Sequence, residues 1–316
     1  MAKLKWASAV LPDPYYLPFP SFGLNRALGG EGLESGRIHV YWGGKGSGKT
    51  TTALQQAAQA QREGKVVAYV DAERAFSTAW ARKNGVDVEA LKYVRANTME
   101  QILELLMPDC EKGLIDIVIV DSVNSILADG MFDADKNPIG AYARSAKAFT
   151  HKMLSVLGTQ QHYIFISHQS MDMSGSYPML TAAIGNAVDH WASTKIKFQK
   201  LGGKDSVKED GKVYKVKWTV EKSKQSVYPV KGEYWFDSRT AELDKVAELG
   251  AYAIEDGIID QSGAWFYHAK GTPTEQKWHG GDAFFDQLRY DIGLWEEITS
   301  QLLSVEVKVE EEFEDE

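Results

Sequence analysis

Eight consecutive residues, Gly43-Gly44-Lys45-Gly46-Ser47-Gly48-Lys49-Thr50, carry the clearest chemistry in the chain. They fit G-x-x-x-x-G-K-[ST] at every fixed position. They stand between an apolar run expected to be a strand and an alanine-rich run expected to be a helix, the context that a phosphate-binding loop needs. The glycines let successive backbone N–H groups converge on phosphate oxygens, and the following helix adds the partial positive charge of its N-terminus. Lys49 is the side chain to reach the outer phosphates, and the Thr50 hydroxyl is a ligand for Mg²⁺. Asp121 ends a second apolar run, IDIVIV, and is placed to reach the same Mg²⁺ shell. Asp71 and Glu73 follow a third run, VVAYV. Either carboxylate could orient or deprotonate an attacking water, and either could cap the next helix; spacing alone leaves both roles open.

The elements that must position these groups alternate. Strands are expected at Arg37–Trp42, Val66–Val70, Ile115–Val120 and Tyr163–Ser167, and helices at Lys49–Arg62, Thr98–Glu111 and Ala141–Leu157. Nearly continuous apolar, β-branched strands between helices predict an α/β fold with a mainly parallel sheet covered on both faces. Such sheets bind ligands beyond the carboxyl ends of their strands, where the candidate carboxylates lie. Ser193–Leu201 and Val213–Glu221 instead alternate polar and apolar residues, as half-exposed antiparallel strands do, with a polar hairpin loop between them. From Asp244 a helical pattern with its own aromatics (Trp265, Phe266, Trp278, Phe284, Phe285, Trp295) predicts a small C-terminal α/β domain. The expected organisation is an extended, proline-rich arm over 1–20, a phosphate-binding core over 21–243, the small domain over 244–305 and an acidic tail over 306–316.

Composition limits the alternatives. The 316 residues are 44% hydrophobic and 25% charged, enough to bury a core, which excludes a largely disordered chain. The one cysteine, Cys110, excludes a disulfide scaffold and a cysteine-rich zinc module, and fits a reducing compartment. No apolar run approaches the roughly 20 residues that span a bilayer, so a cytoplasmic protein without a membrane partner is expected. The net charge is −9, but Glu306–Glu316 hold seven acidic residues and one lysine, a net of −6, leaving −3 for residues 1–305. The tail reads either as a solubility device or as an electrostatic competitor for an anionic ligand.

Beyond the phosphate loop, the chain resembles the RecA-type DNA recombinases from about Ser21 to Leu303. SFGLNRALGGEGLESGRI, AQREGKVVAYVDAERAF, LIDIVIVDSV, YIFISHQ, IGNAVDHWAS and SGAWFYH carry the resemblance, in the family's order. It implies a RecA-like ATPase core that uses ATP and Mg²⁺. Gly43 to Thr50, Thr51, Trp80 and Asp121 would bind nucleotide, with Thr50 and Asp121 on the metal. Glu73 would activate water, Trp80 would pack on adenine, and His168 would sense the γ-phosphate, unless the register shifts that role to Gln169. Lys222 and Lys224 fall where the family reaches across a filament interface to a neighbour's ATP.

The resemblance also implies two DNA-binding loops, at Asp129–Arg144 and Ser170–Asn186. Ile139 would insert between bases and Arg144 would contact phosphate, with Lys136, Lys147 and Lys152 adding charge. Met171, Met173, Tyr177, Met179 and Leu180 supply apolar wedges, and Gly185 and Asn186 match backbone-contact positions. Two departures stand out. A short proline-rich arm replaces the long N-terminal helix of bacterial members; Tyr15, Tyr16, Leu17 and Phe19 could add to a neighbour's surface. TAAIGN lacks paired glycines. The short chain and the divergent arm suggest a phage or other mobile element. The expected function is an ATP-dependent homologous recombinase: a homo-oligomeric helical filament on single-stranded DNA that pairs with double-stranded DNA and exchanges strands, hydrolysing ATP. A helicase of the same ATPase fold and an ATP-switched binding module are the alternatives; formation of joint molecules separates them.

Overall fold

The computed structural model describes residues 12–126, 138–172, 179–182 and 186–307; for 138–144, 171–172, 179–182, 186–187 and 210 it describes the backbone alone. The described part of the arm, from residue 12 on, does not stand free. Its β1 (Tyr16–Leu17) pairs with β2 (Leu33–Glu34), on either side of α1 (Phe22–Ala27). Leu17 and Phe19 are buried in the chain's own core, and the Tyr15 hydroxyl donates to Glu63 at 2.7 Å. Leu17 and Phe19 are therefore used within the subunit, which corrects the expectation that those two serve a neighbour; Tyr15 and Tyr16 stay half-buried.

Strand β3 (Arg37–Gly43) leads into α2 (Lys49–Arg62), and β4 (Val67–Asp71) into α3 (Thr78–Lys83) and the short β5 (Lys92–Val94). Next come α4 (Met99–Glu111), β6 (Ile117–Asp121), α5 (Pro138–Val156) and β7 (His162–Asp172). Thr98 caps α4, its hydroxyl accepting from the Gln101 N–H, which is why the helix starts one residue after it. β7 runs five residues past the expected Ser167 and forms a hairpin with β8 (Met179–Ala182), Met171 opposite Leu180. Backbone pairing thus orders part of the expected second loop.

After α6 (Asn186–Trp191), β9 (Thr194–Lys200) joins the sheet parallel to β3. The short β10 (Val207–Lys208), the long β11 (Val213–Ser223), β12 (Val230–Asp237) and β13 (Glu242–Leu243) extend it antiparallel. The sheet order is β13-β12-β11-β9-β3-β7-β6-β4-β5, with β3, β4, β5, β6, β7 and β9 mutually parallel. Apolar clusters fill both faces. One holds Leu54, Tyr69, Ile119 and Phe198; the other holds Trp42, Val120, Phe149 and Phe165. The mainly parallel α/β fold expected from the alternating pattern is what forms, with β5 and β12 added.

The C-terminal residues form α7 (Lys245–Glu255), a three-stranded antiparallel sheet of β14 (Ile259–Ser262), β15 (Trp265–His268) and β16 (Gln276–His279), then α8 (Gly281–Tyr290) and α9 (Ile292–Ser304). Their own cluster packs Leu249, Phe266, Phe284 and Ile298. Two buried contacts tie this part to α1. Glu248 accepts from the Ser21 hydroxyl (2.5 Å) and from the N–H groups of Phe22 and Gly23, and Arg26 pairs with Asp256 at 2.6 Å. Among the described residues no helix is long and apolar enough to cross a membrane.

Candidate nucleotide site

Strands β3, β6 and β4 deliver their carboxyl ends side by side, separated only by β7 between the first two. The loop after β3 is held close to the sheet. A Cβ on Gly43 would lie 2.0 Å from the Phe198 carbonyl oxygen on β9, so no larger residue fits. Gly48 caps α2 at φ +101°, a conformation that glycine adopts without steric cost. Lys49 is 5% exposed, and its ammonium folds back onto the loop, donating to the carbonyls of Gly43 (2.9 Å) and Gly44 (2.8 Å). Burial lowers its pKa, while Asp121 and Glu73 oppose that shift. Ser47 is buried, Thr51 is half-buried, and Lys45 and Gly46 face solvent.

The Thr50 hydroxyl donates to Asp121 Oδ2 at 2.7 Å, and the Tyr69 hydroxyl donates to the same oxygen at 2.7 Å. Burial raises the Asp121 pKa, and those two hydrogen bonds pull it back toward the ionised form. A hydroxyl and a carboxylate in contact are the hard oxygen donors that Mg²⁺ takes, and a buried lysine on a glycine-rich loop that opens a helix is suited to a polyphosphate. The residues present fit both groups.

The two carboxylates after β4 are separated by their partners. Asp71 is buried and accepts from the N–H groups of Ala75 (3.0 Å) and Phe76 (3.1 Å) and from the Tyr93 hydroxyl (2.8 Å). It therefore shapes the turn. Glu73 faces the site and accepts from the Ser122 hydroxyl at 2.5 Å, and its Oε1 also meets His168 Nε2. Arg74 beside it holds φ +59°, a left-handed conformation that costs a non-glycine residue roughly 1 kcal/mol. His168 is further held by its backbone N–H, which donates to the Asn124 side-chain oxygen at 2.6 Å. Gln169 turns the other way: its carboxamide would lie 3.5 Å from a Cβ on Gly44 of the phosphate loop. The sequence expectation left one sensor to be chosen between these neighbours; they occupy different places, His168 on Glu73 and Gln169 against the loop.

Trp80 lies on α3, half-buried against the cluster that includes α2, with the Lys83 ammonium 5.7 Å from its ring centre. Lys222 and Lys224 differ. Lys222 donates to the carbonyls of Asp189 (2.8 Å) and His190 (3.2 Å) in the last turn of α6, and burial lowers its pKa; Lys224 is exposed. Of the expected DNA contacts, Lys147 is exposed on α5. Ile139 and Arg144 lie on the helical backbone of α5, Met171 on β7 and Asn186 at the start of α6, with side chains outside the described residues; Met173, Tyr177 and Gly185 lie wholly outside them. Sequence reasoning missed Tyr69, Tyr93 and Asn124. The two tyrosines read as ordinary strand residues, and nothing local marks their hydroxyls.

The comparisons agree with this geometry. A family model described as the RecA N-terminal domain matches residues 15–234. The chain is 32% identical over 266 residues to Protein RecA of Geobacter sulfurreducens, covering 82% of this chain and 78% of the relative. It is 33% identical over 252 residues to Protein RecA of Desulforapulum autotrophicum, covering 78% and 72%. It is 35% identical over 253 residues to Protein RecA of Sinorhizobium fredii, covering 78% and 69%. A strand-ordered phosphate loop with its carboxylates in place, matched along this much of both chains, establishes that the chain belongs to the RecA family.

Proposed function

We propose that the chain is an ATP-dependent recombinase that binds Mg²⁺-ATP at Gly43–Thr51, assembles into a helical filament on single-stranded DNA, and pairs and exchanges homologous strands. The observation that carries this reading is the convergence of Lys49, Thr50, Asp121 and Glu73 from three strand ends, in a chain of the RecA family. When bound, Mg²⁺ offsets charge on the phosphate oxygens. Thr50 and Asp121 hold it, Lys49 leaves the loop carbonyls for phosphate, and Trp80 offers a face to the base. Glu73 orients and deprotonates the attacking water, so its hold on Ser122 and His168 must loosen for turnover.

Gln169, against the phosphate loop, and His168, on the catalytic carboxylate, both belong to β7, which runs on into the second expected DNA loop. Nucleotide state would reach that loop along one strand. Lys222 and Lys224 complete a neighbour's site in the filament. The resemblance also supports DNA contacts from Ile139, Arg144, Lys147, Met171, Met173, Tyr177, Gly185 and Asn186, and a cytoplasmic location. The 21–243 core, the 244–305 domain and the acidic tail are proposed as its working parts.

The deciding experiment incubates the protein with circular single-stranded DNA, homologous linear duplex, ATP and Mg²⁺. Joint molecules that require homology and ATP are expected. ATP-driven unwinding without pairing would replace this reading with a helicase.

A further inference from the structure

Three aromatic rings stand in a row beside the nucleotide site. Tyr69 of β4 and Tyr93 of β5 are register partners on neighbouring parallel strands, and Phe76 from the intervening turn packs on both, with ring centres 4.9 and 5.2 Å apart. Each end of the row carries a hydroxyl, and each hydroxyl holds a carboxylate. Tyr69 donates to Asp121 Oδ2 at 2.7 Å, and Tyr93 donates to Asp71 Oδ2 at 2.8 Å. Phe76 is also tied through its backbone N–H to the oxygen that Tyr93 holds. The turn between Asp71 and Phe76 carries Glu73, so it is pinned at its start by a carboxylate and at its end by a ring. Tyr69 is 2% exposed, whereas Tyr93 is 46% exposed on the edge strand.

We propose that Tyr69, Phe76 and Tyr93 form a positioning brace that sets the carboxylate serving the metal, Asp121, at a fixed distance from the turn that carries Glu73. The proposal rests on the nucleotide reading above. Thr50 and Tyr69 both donate to Oδ2 of Asp121, so two hydroxyls fix the orientation of the carboxylate that would serve the cation. Partners of this kind, one step removed from a metal, commonly change metal affinity by roughly 10- to 100-fold when removed. Tyr93 does the corresponding work for the turn through Asp71, without touching nucleotide or metal. The tilted packing of the three rings gives the brace rigidity, since such aromatic pairs add attraction beyond the area they bury.

Tyr69→Phe and Tyr93→Phe test it, because each keeps its ring and removes one hydroxyl. The first readout is the melting temperature of the full chain with a non-hydrolysable imido analogue of ATP, as Mg²⁺ is titrated. Wild type is expected to gain stability from the analogue alone and a further increment from Mg²⁺. Tyr69→Phe should keep the first gain and need about tenfold more Mg²⁺ for half of the second. Tyr93→Phe should keep the wild-type Mg²⁺ requirement; in steady-state hydrolysis it should lower kcat several-fold at unchanged KM. If wild type shows no Mg²⁺ increment, the nucleotide reading itself fails. If wild type shows it and Tyr69→Phe titrates identically, the brace alone is overturned. Equal weakening of analogue binding with and without Mg²⁺ in Tyr69→Phe would also overturn it, as would a raised KM at unchanged kcat in Tyr93→Phe.

Discussion

At the scale of single residues, the proposed roles divide into groups that would bind nucleotide and groups that would react. Lys49 is the one buried cation of the phosphate loop, and desolvation has already been spent in placing it there. Lys49→Ala should abolish hydrolysis and weaken nucleotide affinity by at least about tenfold, the loss of one charge-assisted contact; equilibrium titration with a fluorescent nucleotide checks it, and retained turnover would remove Lys49 from the site. Glu73→Gln keeps shape and the bond from Ser122 but cannot accept a proton. Turnover should fall roughly 10²- to 10⁴-fold with binding nearly unchanged, and complexes on DNA should persist longer. A loss of binding that matches the loss of turnover would instead make Glu73 a nucleotide ligand.

At the scale of elements, β7 and α6 join the nucleotide site to the segments expected to meet DNA. β7 carries His168 and Gln169, and the last turn of α6 holds the Lys222 ammonium through two carbonyl oxygens. Cations are favoured at helix C-termini, so Lys222 has a resting place within its own subunit. If it acts in a neighbour's site, it must leave that place, and Lys224 is the freer partner. Charge stabilisation supplied in trans is worth roughly 10³–10⁵ in rate in related phosphoryl transfers. The double change of Lys222 and Lys224 to Ala should therefore remove DNA-stimulated hydrolysis while sparing nucleotide affinity. Mixing that variant with Lys49→Ala subunits on single-stranded DNA should restore part of the turnover, because an intact loop then meets intact lysines at some junctions. Full stimulation in the double variant alone would leave Lys222 only its contact with α6 and Lys224 only a solvated strand end.

At the scale of the whole molecule, α7 clamps α1 from far along the chain. Glu248 is 3% exposed and receives three donors from Ser21, Phe22 and Gly23, yet burial pushes its carboxyl up to about 7. The folded state thus holds a proton that the unfolded chain, at the ordinary value of 4.5, releases earlier. Stability from this group is fully present below about pH 4.5 and is lost as pH rises through about 7, by up to about 3 kcal/mol. Glu248→Gln has no such proton to lose. The difference in unfolding free energy between wild type and variant should therefore fall as pH is raised from 5 to 8, measured by urea denaturation. A constant difference would mean that the three donors keep Glu248 ionised throughout.

Much of this molecule is legible one segment at a time. The phosphate loop, the apolar strands ending in Asp71 and Asp121, and the helices between them depend on local sterics and periodicity, so Arg37–Gly43, Lys49–Arg62 and Ile117–Asp121 lie within two residues of where the pattern places them. β5 escaped notice because three residues carry no period, and β12 because its glycine and mixed burial blur the alternation. Choices among chemically similar residues belong to tertiary structure. Asp71 and Glu73 stand two apart and look alike in sequence; one is drawn into the turn by Tyr93, 22 residues on, and the other meets His168, 95 residues on. His168 and Gln169 part because neighbouring side chains on a strand leave on opposite faces. Leu17 and Phe19 are core rather than contact surface because β1 finds β2 in the same chain. A hydroxyl such as that of Tyr69 gains its role only when strand order puts Asp121 beside it, and strand order is set by the packing of the whole sheet, which no single segment encodes.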